Sequence, residues 1–258
     1  MPTALISGAS VGIGYELAKQ FARAGHDLIL VARNEPKLQE VAGEMKTLGA
    51  PSADVLVADL SQGNAGADLV LRLGNRQVDE LINNAGFGAV GSFTEIDLAR
   101  QLEMIQVNIT ALVDLTHRLL PPMIARGRGG ILNVASTAAF QPGPFMAIYY
   151  ATKAFVLSFS EAIGEEVKST GVRVSALCPG PTHSEFRQRA KMEQSGVFKT
   201  SYIPVASAED VAIAGFKGFR RGKRVIVPGL VNKLGVATIR VTPRKLAAKI
   251  TAKINRNK

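Results

Sequence analysis

Short apolar runs alternate with longer amphipathic stretches along most of the 258-residue chain. Each run consists mostly of Leu and β-branched residues and is bounded by turn residues. The runs lie at Ala4–Ile6, Leu28–Val31, Val55–Val57, Leu81–Ile82, Ile131–Val134, Val172–Leu177 and Arg224–Val227. Runs of this kind are typical of strands that are buried on both faces of a parallel sheet. The pattern therefore predicts about seven strands.

Helical periodicity occupies the segments between the runs, as at Glu16–Ala24, Pro36–Leu48 and Gln101–Arg118. Alternation of strands and helices at this spacing implies right-handed crossovers between parallel strands. We therefore predict an α/β fold, a doubly wound parallel sheet (Rossmann fold) with helices on both faces. One domain is expected over residues 1–228, followed by a basic helical extension over residues 229–258.

The net charge of +10 comes from the C-terminal part of the chain. Residues 1–210 hold 18 basic and all 21 acidic residues, whereas residues 211–258 hold 13 basic residues and no acidic one. In the last stretch Leu246, Ile250 and Ile254 recur every four residues between basic side chains. This pattern fits either a helix docked on the domain or a peripheral contact of the segment with an anionic membrane. Nucleic acid is not expected as a partner, because the rest of the chain lacks a basic surface with interleaved aromatic residues.

Cysteine and histidine usage limits the kinds of site that the chain can hold. Cys178 is the single cysteine, so no internal disulfide can form, which fits a reducing compartment. The histidines His26, His117 and His183 are far apart in sequence, and no metal site is predicted. The N-terminal residues do not resemble a secretory signal, and no apolar run reaches about 18 residues. A cytoplasmic location is therefore expected, with peripheral membrane contact as the alternative.

A glycine-rich turn follows the first predicted strand and opens the first helix. Residues 7–14 read Ser-Gly-Ala-Ser-Val-Gly-Ile-Gly. Glycines permit a tight turn and a close approach of the backbone to a pyrophosphate. The helix N-terminus then offers free N–H groups to the phosphate oxygens. An ordinary strand-to-helix turn is the alternative, but the position after the first strand of an alternating pattern favours a dinucleotide site.

Polar residues that could carry chemistry follow the later strands. Residues 83–86, Asn-Asn-Ala-Gly, close the fourth strand, Asn108 lies within a long helix, and Ser136 ends the fifth strand. Tyr149 and Lys153 are four residues apart on a helix, so their side chains share one face. Each residue alone has an ordinary explanation as a cap, a turn former or a surface pair. Their order, and the gap of 13 residues between Ser136 and Tyr149, favour a catalytic set in which the lysine ammonium lowers the phenol pKa.

Together these motifs resemble the short-chain dehydrogenase/reductase family over about residues 3–228, with Ser7 in place of the family's usual Thr. The resemblance implies an oxidoreductase that transfers a hydride between NADP(H) and a carbonyl or secondary alcohol. It assigns proton transfer to Tyr149 and binding of the substrate oxygen to Ser136. Lys153 would tune Tyr149 and hold the nicotinamide ribose, and Asn108 would hold a water that links Lys153 to solvent.

The choice of cofactor depends on the end of the second strand. Arg33 stands there without an acidic neighbour at the tip, which favours a 2′-phosphate and NADP(H) over NAD(H). The alternative for Arg33 is an exposed side chain without a role in cofactor binding. Asp59 resembles the family's adenine contact, and its alternative is a turn or helix cap. Val11 stands where some NADP-dependent members have a basic residue. By resemblance the cofactor-binding residues are Gly8, Ser10, Gly12, Ile13, Gly14, Arg33, Asp59, Leu60, Asn84, Ala85, Gly86, Tyr149, Lys153, Pro179 and Thr182.

The substrate side is less specified by the sequence. Residues 184–205 are expected to form a lid over an apolar pocket, which suggests a lipophilic substrate unless these residues only pack the lid down. Tyr150 is expected to pack in the core or at an interface, because the family register favours Tyr149. Cys178 is expected to be a buried residue at a strand end and not a nucleophile.

Partners and rival functions follow from the same resemblance. A homodimer or homotetramer and a small-molecule substrate are implied. Residues 243–258 are expected to lie outside every element that contacts the cofactor in the resembled family, so that a chain ending at Thr242 keeps most of its reductase activity. The alternative functions are a non-catalytic NADP(H)-binding sensor and a membrane-associated binding protein on the same fold.

Overall fold

A parallel β-sheet forms the centre of the structure, a computed structural model that describes residues 1–183 and 205–256. Its strands are β1 (Thr3–Ser7), β2 (Asp27–Ala32), β3 (Ala53–Val57), β4 (Glu80–Asn83), β5 (Gly129–Val134), β6 (Val172–Leu177) and β9 (Val225–Ile226). They follow the order β3-β2-β1-β4-β5-β6-β9, and all neighbours are parallel. Two short strands, β7 (Thr182–His183) and β8 (Ala206–Ser207), pair with each other outside this sheet.

Helices cover both faces of the sheet. They are α1 (Gly12–Arg23), α2 (Glu35–Thr47), α3 (Ala65–Leu73), α4 (Leu98–Ile105), α5 (Ala111–Ala125), α6 (Ala147–Glu166), α7 (Ala208–Arg220), α8 (Leu230–Val241) and α9 (Arg244–Asn255). A π-helical turn, Gln106–Thr110, joins α4 to α5, and a 3₁₀ turn, Thr137–Phe140, follows β5. This architecture confirms the predicted α/β fold and its seven-stranded parallel sheet.

Each face of the sheet has its own apolar core. Leu17 of α1 and Phe219 of α7 are buried on one face, and Leu69 of α3 is buried on the other. Side chains alternate along a strand, so the neighbours Leu5 and Ile6 of β1 enter opposite cores. Because both faces are covered, the strands need apolar residues at consecutive positions, which explains the unbroken runs in the sequence.

The predicted helix Gln101–Arg118 lies inside a longer helical segment that runs from Leu98 to Ala125. The segment changes to a π-helical turn at residues 106–110, and Asn108 lies at the centre of that turn. A π-helical turn leaves backbone groups out of the regular i→i−4 pattern and is frequent at functional sites. Hydrophobic periodicity alone does not reveal such a turn.

The C-terminal helix α9 packs on the domain through an unexpected stripe. Its buried residues are Ala247, Thr251 and Asn255, whereas Leu246 and Ile250 are each 49% exposed. The buried stripe is therefore one residue out of step with the apolar stripe that is visible in the sequence. This arrangement is the docked helix that the sequence offered as one alternative, and its lysines are exposed. Within residues 1–183 and 205–256, no helix is both long and apolar enough to cross a membrane.

Candidate active site

A cleft of about 830 Å³ opens at the carboxyl ends of the strands. The strand order reverses between β1 and β4, and ligands of open α/β sheets bind at this switch point. The predicted site residues that line the cleft are Gly8, Ser10, Gly12, Ile13, Arg33, Asp59, Leu60, Asn84, Ala85, Gly86, Ser136, Tyr149, Lys153, Pro179 and Thr182. Gly14 and Asn108 are buried behind this lining. The predicted lid falls almost wholly on residues 184–204, which are outside the described residues.

The glycine turn between β1 and α1 is as tight as the sequence predicted. Gly8 and Gly12 have positive φ angles of 66° and 60°, which L side chains rarely adopt. A Cβ on Gly14 would lie 2.2 Å from the Gly8 carbonyl oxygen, so only glycine fits there. The residue before α1, Val11, provides no side-chain cap. The first N–H groups of α1 therefore remain available to an anion in the cleft.

The loop after β4 holds the glycine turn in place. Asn84 donates from Nδ2 to the carbonyl oxygens of Ser7 (3.0 Å) and Gly8 (3.1 Å). The Ser7 hydroxyl in turn accepts hydrogen bonds from the backbone N–H groups of Asn84 and Ala85, both at 3.1 Å. The hydroxyl of Ser7, which stands in place of the family's usual threonine, thus joins the glycine turn to the loop after β4. Asn84 supports the shape of the cleft as well as lining it.

Opposite charges surround the far end of the cleft. Arg33, at the tip of β2, is 60% exposed at its side chain, and its Nη1 lies 4.0 Å from Glu103 Oε1. Arg100 pairs with the other oxygen of the same carboxylate at 2.8 Å. The Arg100 guanidinium also lies 3.9 Å from the centroid of the Phe87 ring. Two arginines and one glutamate therefore meet at the tip of β2, the position at which the sequence favours a 2′-phosphate.

Asp59 shows both of the roles that the sequence left open. It lines the cleft, and its Oδ1 also accepts a hydrogen bond from the Ser61 backbone N–H at 3.1 Å, as a turn cap does. Burial acts to raise the pKa of the Asp59 carboxyl, but hydrogen bonds from Ser61 and the nearby charge of Arg33 lower it overall. Asp59 is therefore an anion that attracts Arg33 towards the cleft.

The proposed catalytic residues meet at the other end of the cleft. Ser136 caps the 3₁₀ turn, because its Oγ accepts from the Ala138 N–H at 3.1 Å, and it donates to the Pro179 carbonyl at 3.4 Å. A side-chain hydrogen bond joins Ser136 to the Tyr149 phenol. Lys153 lies one turn further along α6 and is 5% exposed. Ser136 can thus cap the 3₁₀ turn and bind the Tyr149 phenol at the same time.

Burial dominates the protonation of the Tyr149 and Lys153 pair. It raises the pKa of the Tyr149 phenol to about 12, against the lowering effect of the Ser136 hydrogen bond. It lowers the pKa of the Lys153 ammonium to about 8. Lys153 Nζ donates to the Val134 carbonyl at 2.8 Å and lies 5.9 Å from the Tyr149 ring centroid. In the chain alone the Tyr149 pKa is therefore raised, because burial disfavours the phenolate, and the predicted tuning by Lys153 stays a prediction.

Asn108 uses its whole side chain to bind protein groups. Its Nδ2 donates to the Phe87 carbonyl and to Thr152 Oγ1, both at 3.0 Å, and its Oδ1 accepts from the Phe87 N–H at 3.0 Å. Thr152 passes the contact on by donating to the Tyr149 carbonyl at 2.7 Å. The side chain thus joins the loop after β4, the π-helical turn and α6. The predicted water on Asn108 stays a prediction.

The loop after β6 completes the cleft. Thr182 is 8% exposed, and its Oγ1 donates to the Gly180 carbonyl at 2.9 Å. Cys178 is fully buried directly after β6, and burial raises the pKa of its thiol to about 12. This confirms the interpretation of Cys178 as a structural residue. Tyr150 packs over Gly143, as expected for a buried ring, but it also lines the cleft.

Two groups of cleft residues escaped the sequence analysis. Arg100 and Glu103 form the first, and their place eight and five residues before Asn108 in one helical segment was the available signal. The second group comes from α8 and α9: Val231, Asn232, Gly235, Val236, Ile239, Thr251 and Ile254. Residues 243–258 thus contribute to the wall of the cleft through Thr251 and Ile254.

Comparisons with known proteins identify the family. The family of short chain dehydrogenases matches residues 2–195. The chain belongs to this family. A very-long-chain 3-oxoacyl-CoA reductase of Laccaria bicolor is 37% identical over 178 residues, which cover 67% of this chain and 53% of that relative. The chain thus spans little more than half of that relative's length.

Two solved short-chain dehydrogenase structures match nearly the whole chain. A short-chain dehydrogenase from Sphingobium yanoikuyae in complex with NADPH is 32% identical, with a TM-score of 0.83, and covers 97% of this chain and 100% of its own. The bulky-bulky ketone specific alcohol dehydrogenase from Comamonas testosteroni is 30% identical, with a TM-score of 0.78, and the match covers 97% and 98% of the two chains. Family and fold predictions are therefore confirmed, and the chain is an oxidoreductase by family.

Proposed function

We propose that the chain interconverts a carbonyl compound and a secondary alcohol, with NADP(H) as the preferred cofactor. The observation that carries this proposal is the Ser136–Tyr149 hydrogen bond, which lies in the wall of the cleft with Lys153 one turn away. Two hydroxyl groups at one place can bind one substrate oxygen. Ser136 follows the carboxyl end of β5 and Tyr149 lies in the first turn of α6, which supports a substrate oxygen bound beside the dinucleotide site.

The residues of the cleft fit a nicotinamide dinucleotide. The uncapped N-terminus of α1 and the positive-φ glycines Gly8 and Gly12 suit a pyrophosphate. Arg33 and Arg100 suit a 2′-phosphate at the far end, and the related Sphingobium yanoikuyae enzyme was solved with NADPH. When bound, the cofactor supplies or accepts the hydride. NAD(H) is the cofactor that we expect to bind less tightly.

Tyr149 would provide the proton for reduction. With a pKa of about 12 the phenol is protonated at neutral pH, so it can donate a proton to the alkoxide that forms from the carbonyl. Ser136 would hold the same oxygen through its hydroxyl. Lys153 would stabilise the phenolate by its positive charge and thereby bring the Tyr149 pKa down during turnover. The bonds of Asn108 to Thr152 would keep α6 in place during this step.

The substrate is expected to be lipophilic. The cleft wall includes apolar side chains of the C-terminal helices, such as Val236 and Ile239. Two similar proteins are named for a very-long-chain 3-oxoacyl-CoA and for bulky ketones, which agrees with this expectation. The test is a panel of aliphatic, aromatic and sulfonated carbonyl compounds with NADPH and NADH, followed at the reduced-nicotinamide absorbance band. Preference for small charged carbonyls would contradict the lipophilic assignment.

A non-catalytic NADP(H) sensor is the rival on the same fold. A sensor needs the glycine turn and Arg33 but has no use for a Ser136–Tyr149 hydroxyl pair with a buried lysine beside it. Burying Lys153 is costly for stability, since its ammonium is desolvated. Tight NADPH binding together with no turnover of any carbonyl or alcohol in the panel would favour the sensor.

A second candidate function is peripheral membrane binding through 243–258. Leu246 and Ile250 are exposed beside the exposed Lys245, Lys249 and Lys253. Each cation near an anionic surface contributes about 1 kcal/mol of attraction. Full-length protein should sediment with phosphatidylserine vesicles at low salt, and less at high salt. Replacing both apolar residues by serine should weaken this binding; no binding of the wild type at low salt would contradict it.

Location and assembly stay proposals of the same kind. We expect a cytoplasmic homodimer or homotetramer, with the boundary between the dehydrogenase domain and its extension near residue 228. Light scattering during size-exclusion chromatography would test the assembly, and a monomeric mass at micromolar concentration would contradict it.

A further inference from the structure

Asn255 is a fully buried polar residue at the end of α9, where most terminal residues are solvated. It has no exposed surface, and its neighbour in the buried stripe, Thr251, is 2% exposed. A buried amide is costly unless it is hydrogen-bonded. The bonds of Asn255 therefore determine how α9 docks.

One of those bonds reaches the loop directly before α6, and the other reaches the first turn of α6 itself. Asn255 Nδ2 donates to the Pro144 carbonyl at 3.0 Å, and Asn255 Oδ1 accepts from the Tyr150 hydroxyl at 3.4 Å. Tyr150 is adjacent to Tyr149, and their rings lie edge to face with centroids 6.1 Å apart. One side chain thus fastens α9 both to the loop before the catalytic helix and to the helix itself.

The loop that receives this contact is conformationally strained. Phe145 has a φ angle of 64°, and it is the one residue other than glycine with positive φ in the described ranges. Strain of this kind persists only when the surroundings enforce it. The Phe145 carbonyl accepts from the Gly91 N–H at 2.9 Å, and the Arg256 guanidinium lies 5.3 Å from the centre of its ring. Asn255 and Arg256 therefore hold the loop from the C-terminal side.

The same docking brings α9 to the cleft. Thr251 and Ile254 of α9 line the cleft, and so does Ile239 of the preceding helix, α8. Ile254 directly precedes Asn255, so the register that Asn255 sets also sets where Ile254 points. A helix that was rotated to bury Leu246 and Ile250 instead would move Thr251 and Asn255 away from the domain.

We propose that Asn255 is a positioning residue that holds α9 as the end wall of the substrate pocket. Ile254 and Thr251 would contact the part of a large substrate that is distant from the reacting carbon, and Asn255 would act through them. The assignment of these contacts to a substrate rests on the proposed function of the cleft. The clasp itself, defined as the two bonds of Asn255 to Pro144 and Tyr150, rests on geometry alone.

The decisive variant is Asn255→Leu in the full-length chain, which keeps the side-chain volume and removes both bonds. Lys253→Leu is the matched control, because Lys253 is exposed on the same helix and does not line the cleft. Hydrogen exchange followed by mass spectrometry reports on residues 141–150 without any need for activity. We expect faster exchange there in Asn255→Leu and wild-type exchange in Lys253→Leu.

Kinetics with two ketones test the wall. For benzophenone, Asn255→Leu should raise KM about tenfold, the size expected from the loss of two modest hydrogen bonds, and leave kcat within about twofold because the wall binds substrate uniformly. For cyclohexanone, which is much smaller and offers less surface to the wall, KM should change less than for benzophenone. NADPH affinity should stay within about twofold, since the glycine turn is distant.

The outcomes separate the clasp from the proposed function. If Asn255→Leu and Lys253→Leu show equal exchange in residues 141–150, the clasp is refuted. If exchange differs but KM for both ketones is unchanged, α9 is not a substrate wall. If no carbonyl is reduced by the wild type, the proposed function fails, while the exchange result still decides the clasp. If Asn255→Leu does not fold, Tyr150→Phe is the second variant, because it removes only the bond from the Tyr150 hydroxyl to Asn255. It should speed hydrogen exchange at residues 252–256, and unchanged exchange there would refute the clasp.

Discussion

Replacement of Lys153 by methionine should change how stability depends on pH. The folded chain lowers the pKa of the Lys153 ammonium from 10.5 to about 8 because it is buried. Between these values the unfolded chain binds a proton that the folded chain does not. The free energy of unfolding therefore rises with pH between about pH 8 and pH 10.5. Below about pH 8 the buried Lys153 is protonated, and the free energy of unfolding is lower by the whole contribution of the pKa shift. Methionine is unbranched, similar in length and cannot be protonated, so Lys153→Met lacks this dependence.

The magnitude follows from the size of the pKa shift. Each pKa unit corresponds to about 1.4 kcal/mol, so a shift from 10.5 to about 8 corresponds to about 3 kcal/mol. Loss of the hydrogen bond to the Val134 carbonyl is a separate cost of Lys153→Met that applies at every pH. The difference in unfolding free energy between wild type and variant should thus shift by about 3 kcal/mol in favour of the wild type from pH 7 to pH 10.5.

The measurement is urea unfolding of both proteins at intervals of half a pH unit from 7 to 10.5. Tyr149, whose pKa is raised, contributes in both proteins above pH 10 and cancels in the difference. A difference that stays constant within about 0.5 kcal/mol across the series would contradict a strongly lowered Lys153 pKa. The variant should also lose turnover at every pH, because no cation then stabilises the Tyr149 phenolate.

Two further variants test the cofactor site, each by isothermal titration with NADPH and NADH. Arg33→Ala should weaken NADPH by about 1.5–3 kcal/mol, the worth of a charge-assisted hydrogen bond, and leave NADH nearly unchanged; equal weakening of both cofactors would make Arg33 structural. Gly14→Ala should abolish binding of both, since its Cβ would meet the Gly8 oxygen at 2.2 Å. Gly43→Ala, where a Cβ meets nothing within 4 Å in α2, is the control and should stabilise the fold by up to about 1 kcal/mol. Normal NADPH binding by Gly14→Ala would contradict the account of the turn.

Much of the fold was predictable because local patterns determine it. The strands are mostly apolar runs, since each is covered on both faces, and the longest run, Val172–Leu177, coincides with β6. The glycine turn was predictable for a similar reason, because Gly8, Gly12 and Gly14 are required by local geometry. Ser136 was predictable from the end of the fifth strand, and Tyr149 from its spacing to Ser136 and Lys153 and from the resemblance to the family.

Other features depend on contacts between distant residues. Asn255 binds Pro144 across 111 residues of sequence, and the apolar periodicity of Leu246 and Ile250 pointed to a different face of α9. Likewise the pKa of Tyr149 depends on burial in the assembled cleft, which sequence spacing does not reveal. Periodicity and motif spacing describe which element forms, but not which of its faces a distant loop will contact.

Tyr149→Phe tests the central claim most directly. The ring remains in place, so NADPH should bind with nearly wild-type affinity, while the hydroxyl that donates the proton is lost. Single-turnover reduction of the best ketone from the panel, followed at the NADPH absorbance band, should fall by at least a hundredfold, in the range of general acid–base catalysis. Reduction at a rate near that of the wild type, with NADPH binding intact, would contradict the assignment of Tyr149 as the proton donor.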